Sequence, residues 1–199
     1  TVAAITGGSN TLTLSTENNI TGSDVTASGA ISGVTTLSLA DIGGTATLSG
    51  DVDVTSLVVG AISNSVANLV FTGNGSTITN AFVPFNDGAL ILGTDGGTQT
   101  FNGGINTFFR PSGAITLNGT IQSSNDVLAF VDVTLASDTI IDTNATDSTG
   151  AILISTIAGG DNALTLSTGD NINANVNMSI ISSASSGITT LTLRDIGGK

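Results

Sequence analysis

A chain of 199 residues with 39% hydrophobic content is long and apolar enough to bury a core, so it is expected to fold. Fifteen acidic residues face only three basic ones, Arg110, Arg194 and Lys199, leaving a formal charge of −12; this argues against nucleic acid and anionic lipid as partners, since both are bound through Lys and Arg. The absence of His and Cys rules out thiolate metal sites, disulfides, thiol nucleophiles and Ser–His–Asp catalysis in its usual form.

Taken in chain order, short alternating apolar runs follow one another: TLTLST (11–16), GVTTLSLA (33–40), VTSLVVG (54–60), NLVFTG (68–73) and ALILG (89–93). After them come TQTFNG (98–103), AITLNGTI (114–121), DVLAFVDVTLA (126–136), AILIST (151–156), ALTLST (163–168) and GITTLTL (187–193). Period-two alternation and β-branched content make each a predicted strand. No window has a capped 3.6-residue stripe, and no apolar run approaches the roughly 20 residues of a membrane-spanning helix. Pro84 and Pro111 fall at breaks between runs, and glycine pairs such as Gly43–Gly44 and Gly159–Gly160 are expected at corners.

A long internal repeat overlies these runs. GGSNTLTLSTENNI (7–20) matches GGDNALTLSTGDNI (159–172) at ten of fourteen positions, and GVTTLSLADIGG (33–44) matches GITTLTLRDIGG (187–198) at nine of twelve. The first block is offset by 152 residues and the second by 154. The connecting segments, 21–32 and 173–186, are therefore expected to be a surface loop or corner that gained two residues. Aromatics at 4%, with no Trp or Tyr, predict a narrow interior of Val, Ile and Leu.

Together these features predict an all-β chain: an irregular parallel β-helix or solenoid occupying 1–199 as one continuous segment, with 7–44 matching 159–198. Tandem β-sandwich domains are the alternative. The start at Thr1, and strand pattern running close to both termini, suggest a module of a longer repetitive chain or fibre, continued or self-associated end to end.

SGAITLNGTIQSS (112–124), NLVFTGNGSTITNA (68–81) and NALTLSTGDNI (162–172) resemble the β-strand-repeat regions of large bacterial surface proteins, namely filamentous-haemagglutinin-type adhesins and autotransporter passenger domains. The likeness spans essentially the whole chain and lies in strand style. It implies a right-handed β-helix, extracellular or on the cell surface, acting as filament, stalk, coat or adhesin. It carries over no catalytic residues.

Among chemical candidates, calcium is the strongest. Asp51 and Asp53 sit at i, i+2, and Asp138, Asp142, Asn144 and Asp147 surround a loop, all with the hard oxygen donors calcium takes. Solvated acids and Asx-turns at corners are the competing reading. Carboxylate pairs, Asp161/Asp170 included, are the only route to glycoside chemistry, and Arg110 is the only mid-chain cation to position an acidic glycan. The chain thus reads as a structural protein, not an enzyme, that requires no cofactor.

Phe101, Phe108, Phe109 and Arg110 form one aromatic and cationic cluster. They are read either as a buried plug or, for Phe108, Phe109 and Arg110, as a binding patch for cell-surface glycans. Thr-x-Thr triplets at 11–13, 45–47, 77–79, 98–100 and 190–192 are too unevenly spaced to predict a flat threonine ladder. Sequons begin at Asn19, Asn74, Asn118, Asn144 and Asn177.

Overall fold

The computed structural model describes residues 1–17, 20–60, 65–109, 111–169, 176–178 and 187–196. Their strands are β1 (Ile5–Thr6), β2 (Thr11–Ser15), β3 (Val25–Ala27), β4 (Ile31–Ala40), β5 (Ile42–Leu48), β6 (Val52–Val59), β7 (Val66–Phe71), β8 (Thr77–Ile78) and β9 (Leu90–Leu92). The order continues through β10 (Thr98–Phe101), β11 (Ile105–Asn106), β12 (Ile115–Gln122), β13 (Leu128–Phe130), β14 (Val133–Asp142), β15 (Ile152–Ile154), β16 (Ile157–Ala158), β17 (Asn162–Ser167), β18 (Val176–Met178) and β19 (Ile188–Arg194).

Among the described residues every strand pairing is parallel, and each strand pairs with one about a coil away in sequence. The fold is a β-solenoid, as the run pattern predicts; sandwich hairpins would have required antiparallel neighbours. Coil length varies with its corners: the register offset is 18 residues at Ile115↔Val133 and 27 at Leu164↔Leu191.

The strands line three faces. The first stacks β3, β5, β7, β9, the first half of β12, the first half of β14, and β16, giving an inward column Val25, Ala46, Leu69, Leu90, Ile115, Val133, Ile157 of seven levels. The second holds β1, the first halves of β4 and β6, β8, β10, the second halves of β12 and β14, β17 and β19. The third runs from β2 through the second halves of β4 and β6 to Phe82, β11, β13, β15 and β18.

Alternation puts every second side chain inside, so Leu37, Leu39, Leu48, Leu69, Leu90 and Ile121 have no solvent exposure. The interior also takes large rings. Phe71 comes from the first face, Phe101 from the second and Phe82 from the third; Phe101 packs edge-on against Phe71 at 6.2 Å and stacks on Phe82 at 5.6 Å. Few aromatics therefore does not mean a core without them: four of the seven phenylalanines, Phe130 included, are among the largest fully buried side chains.

Several boundaries differ from the run pattern. DVLAFVDVTLA divides into β13 and β14 at Asp132, whose φ of 42° turns the chain from the third face to the first. The pair Gly43–Gly44, expected at a corner, lies inside β5. A Cβ on Gly44 would collide with Asp24 Oδ1, which instead accepts the Thr45 amide at 2.7 Å. The segments joining the repeat blocks are more than loops, since 21–32 includes β3 and 173–186 includes β18. Threonines do stack, but in short runs: the outward column of the first face reads Thr26, Thr47, Val70, Ile91, Thr116, Thr134, Ala158.

The two repeat copies share geometry at their corners. Ser9 and Asp161 have φ of 57° and 63°, Gly33 and Gly187 of 66° and 84°, Asp41 and Asp195 of 54° and 52°. Register is the same in both, with Leu12↔Leu37 and Leu14↔Leu39 matching Leu164↔Leu191 and Leu166↔Leu193. Yet β2 lies on the third face while its equivalent β17 lies on the second. Six coils and two further faces separate them, so the second copy is turned by one face relative to the first.

Candidate functional site

Several of the acidic residues on the outer surface hold the next coil. Asp51 Oδ1 accepts the Gly75 amide at 2.9 Å, Asp53 Oδ1 the Thr77 amide at 3.1 Å, and Asp138 Oδ1 the Ala163 amide at 2.8 Å. Asp24 and Asn68 do the same for Thr45 and Ala89, at 2.7 and 2.9 Å. Donor and acceptor lie 21 to 25 residues apart, one coil. In a parallel stack, corner amides leave the strand ladder and need an acceptor, and a short Asx side chain one level below reaches them.

The 142–149 loop is held differently. Asp142 Oδ1 accepts the Asn144 amide at 2.9 Å, an Asx-turn that keeps Asn144 at φ 45°, and Asn144 Nδ2 donates to the Ser123 carbonyl. Asn125, one coil below, accepts the amides of Thr146 and Asp147 at 2.7 and 3.0 Å. Asp147 accepts both the hydroxyl of Thr149, at 2.6 Å, and its amide, at 2.8 Å. These bonds, the Thr149 hydroxyl first, hold the Asp147 carboxyl below the usual aspartate range. Asp142 also takes the Arg194 guanidinium at 3.6 Å across the intervening Ser167, and Arg194 meets Asp195 at 3.3 Å.

The calcium candidates thus form three separate places: Asp51 with Asp53, Asp138 alone, and Asp142, Asn144 and Asp147 around one loop. Among the described residues no three carboxylates converge as a metal group. Oxygen atoms of all five aspartates are engaged by amides. Two shallow grooves of about 300 and 310 Å³ follow the corners. One lies over Ser9, Asp53 and Thr77, the other over Asp95, Thr120 and Asp138.

The aromatic cluster comes apart. Phe101 is wholly buried, whereas Phe108 is 49% and Phe109 74% exposed, so these two are not a plug. They follow β11 by two and three residues, and the Asn106 side chain accepts the Phe108 amide at 2.9 Å and turns the chain outward there. Arg110 lies outside the described residues, as do Asn19 and Asp170. Phe85, 40% exposed, stands three residues past Phe82, as Phe108 stands three past Ile105, and Phe82 bridges Ile105. The exposed rings therefore share one corner on adjacent coils.

Sequence reasoning missed Asp24, Asn68 and Asn125, whose partners are backbone amides and leave no trace in residue identity. It also missed Gln99 and Asn86, which are buried with side-chain oxygens lacking a hydrogen-bond partner. The chain matches no known family model, no curated protein and no solved structure.

Proposed function

We propose that this chain is a structural, non-catalytic segment of a stiff β-solenoid filament, stalk or coat, extracellular and on a bacterial cell surface. One observation carries the reading: among the described residues, parallel hydrogen bonding runs from coil to coil, and Asp51, Asp53 and Asp138 add side-chain bonds from one coil to the next. A stack of that kind resists bending, because each coil is fixed to both neighbours along all its faces. The outward column of its first face is uncharged, with Thr, Val, Ile and Ala, and the scattered aspartates keep neighbouring rods apart. The surface placement rests on the strand style shared with bacterial surface proteins.

Electron microscopy and fibre diffraction of native material test this. Rods with an axial reflection near ~4.8 Å are expected; compact isolated particles would overturn it.

The exposed corner of Phe85, Phe108 and Phe109 favours a second reading, an adhesin module that takes cell-surface glycans against aromatic rings. A glycan array probed with the native chain and with F108A/F109A, with and without calcium, tests it. Binding lost in the double variant supports it, and binding lost on chelation adds the metal.

A further inference from the structure

The exposed apolar side chains of this solenoid gather on one face. Among the described residues eight large hydrophobic side chains are exposed, and five of them, Val58, Phe85, Phe108, Phe109 and Val127, lie on the third face or at its corners. No outward position of that face is charged among the described residues, whereas the second face carries Asp53, Asp142 and Arg194. An uncharged apolar patch on so acidic a chain marks a contact surface.

The same face holds a recess. Gly104 leaves no side chain between Ala81 and Val127, because a Cβ there would strike the Val127 carbonyl. The apolar hollow over it, walled also by Val83, has a volume of about 170 Å³, close to the roughly 150 Å³ that takes a benzene ring. Gly104 begins the face on its level, and Phe108, four residues on, ends it.

We propose that the third face is the contact between two copies of this chain lying side by side and parallel, with Phe108 of each seated over Gly104 of the other. Charge selects the occupant. A chain of net charge −12 is repelled by its own copy at every acidic surface, and a basic partner is drawn to those surfaces instead, so the uncharged face is where like copies meet at least cost. The aspartates that keep rods apart stand on the second face and at the corners, which stops the pairing at two. Area permits it: eight levels at roughly 4.8 Å and a width of about five residues offer on the order of 600 Å² per copy. The pair then buries about 1,200 Å², at the small end of specific interfaces.

Shape selects the direction. In an isologous pair one patch serves both copies. A two-fold axis parallel to the rod sets the beginning of the face in one copy against its end in the other, on the same level. Phe108 then enters the hollow over the partner's Gly104, Phe85 meets the partner's Ala81, and Val131 meets the partner's Val127. Antiparallel rods would set ring against ring and hollow against hollow. The midline column, Ser38, Val58, Val83, Asn106, Ala129 and Leu153, faces its own copy, which only an uncharged column allows. The pairing does not depend on the filament reading, since each copy supplies its own face whether or not rods elongate.

The chain contains no cysteine, so crosslinking reports single positions. Val58→Cys and Leu153→Cys put thiols on the midline four levels apart, roughly 19 Å, whereas facing sheets stand about 10 Å apart. A bismaleimide matched to the shorter distance is expected to join V58C to itself and L153C to itself, and to give few mixed dimers when the two are combined. Sedimentation of the native chain is expected to show a dimer that strengthens as salt screens the repulsion between copies. Phe108→Asp is expected to abolish it, and so is Val83→Asp, which sets two carboxylates against each other on the midline. Phe108 is exposed in the single copy, so F108D is expected to keep the parent's circular dichroism spectrum.

A monomer at every concentration and salt, mixed crosslinks as abundant as self-crosslinks, or a dimer that survives both substitutions would overturn the pairing. A monomer whose glycan-array binding is lost in F108A/F109A would overturn it as well and give the rings to a saccharide.

Discussion

Phe82 and Phe101 stack with ring planes 9° apart, although they come from different faces of the solenoid. With Phe71 edge-on to Phe101, they fill the interior where three faces meet. Phe101→Ala should therefore open a cavity with three sides to collapse and cost about 3–5 kcal/mol. Phe109→Ala, at an exposed corner, should change stability by less than about 0.5 kcal/mol. Denaturant unfolding of the two variants checks the contrast.

Gly119 bends β12 from the first face to the second, at φ 64°. A side chain there would meet the carbonyls of Thr94 and Gly97 on the coil below. Gly119→Ala is expected to cost more than about 1 kcal/mol, since both the backbone conformation and the coil spacing oppose it. Gly8→Ala is the control: its Cβ would meet only Asn10 Nδ2, at 3.7 Å. Thermal melts of the pair should separate clearly.

If Asp138 acts as an acceptor for the Ala163 amide, an uncharged acceptor of the same shape should serve, as Asn68 already does for Ala89. Asp138→Ala is expected to lose up to about 1 kcal/mol, and Asp138→Asn to recover most of it. A role as calcium ligand predicts a different result, with D138N losing any calcium-induced rise in melting temperature just as D138A does.

Gln99 stands fully inside, its Nε2 donating to the Phe71 carbonyl at 2.6 Å and its Oε1 unpartnered. The Phe71 carbonyl also accepts the Gly93 amide at 2.9 Å, so removing Gln99 does not orphan it. Gln99→Leu is therefore expected to fall within about 1 kcal/mol of the parent or to exceed it, because the unpaired oxygen disappears. A large loss in chemical denaturation would mean that the Gln99 oxygen has a partner, such as a buried water.

Asp147 has its carboxyl held below the usual aspartate range by Thr149. A depressed folded value stabilises above the unfolded value, and that contribution disappears as pH falls through the folded one. The loop at 142–149 should thus keep its Thr149 contacts through mildly acidic pH and loosen only in strong acid. Carbon-detected titration of Asp147 checks the direction, and Asp147→Asn should remove the acid step from the Thr149 amide shift.

How far these features could be read in advance depends on their range. Alternation in TLTLST or AITLNGTI is set by neighbours two residues apart, so strands and their buried leucines are visible in one dimension. β5 was hidden by Gly43–Gly44 because Gly44 answers to Asp24, a coil away. The closeness of Asp51 to Asp53 is visible in sequence, whereas their amide partners, like that of Asp138, stand on the following coil and are not.

The amino-acid order alone determined an all-β chain of short strands, an interior built largely of Val, Ile and Leu, a repeat of 152 to 154 residues and the exclusion of histidine and thiol chemistry. Only the tertiary structure decided which runs share a face, that three phenylalanines meet inside, and that the repeat copies stand one face apart. The reason is that coil length here varies from 18 to 27 residues. Corners of variable length preserve each strand's local pattern while resetting what lies above it, so contacts between coils exist only once the coils are stacked.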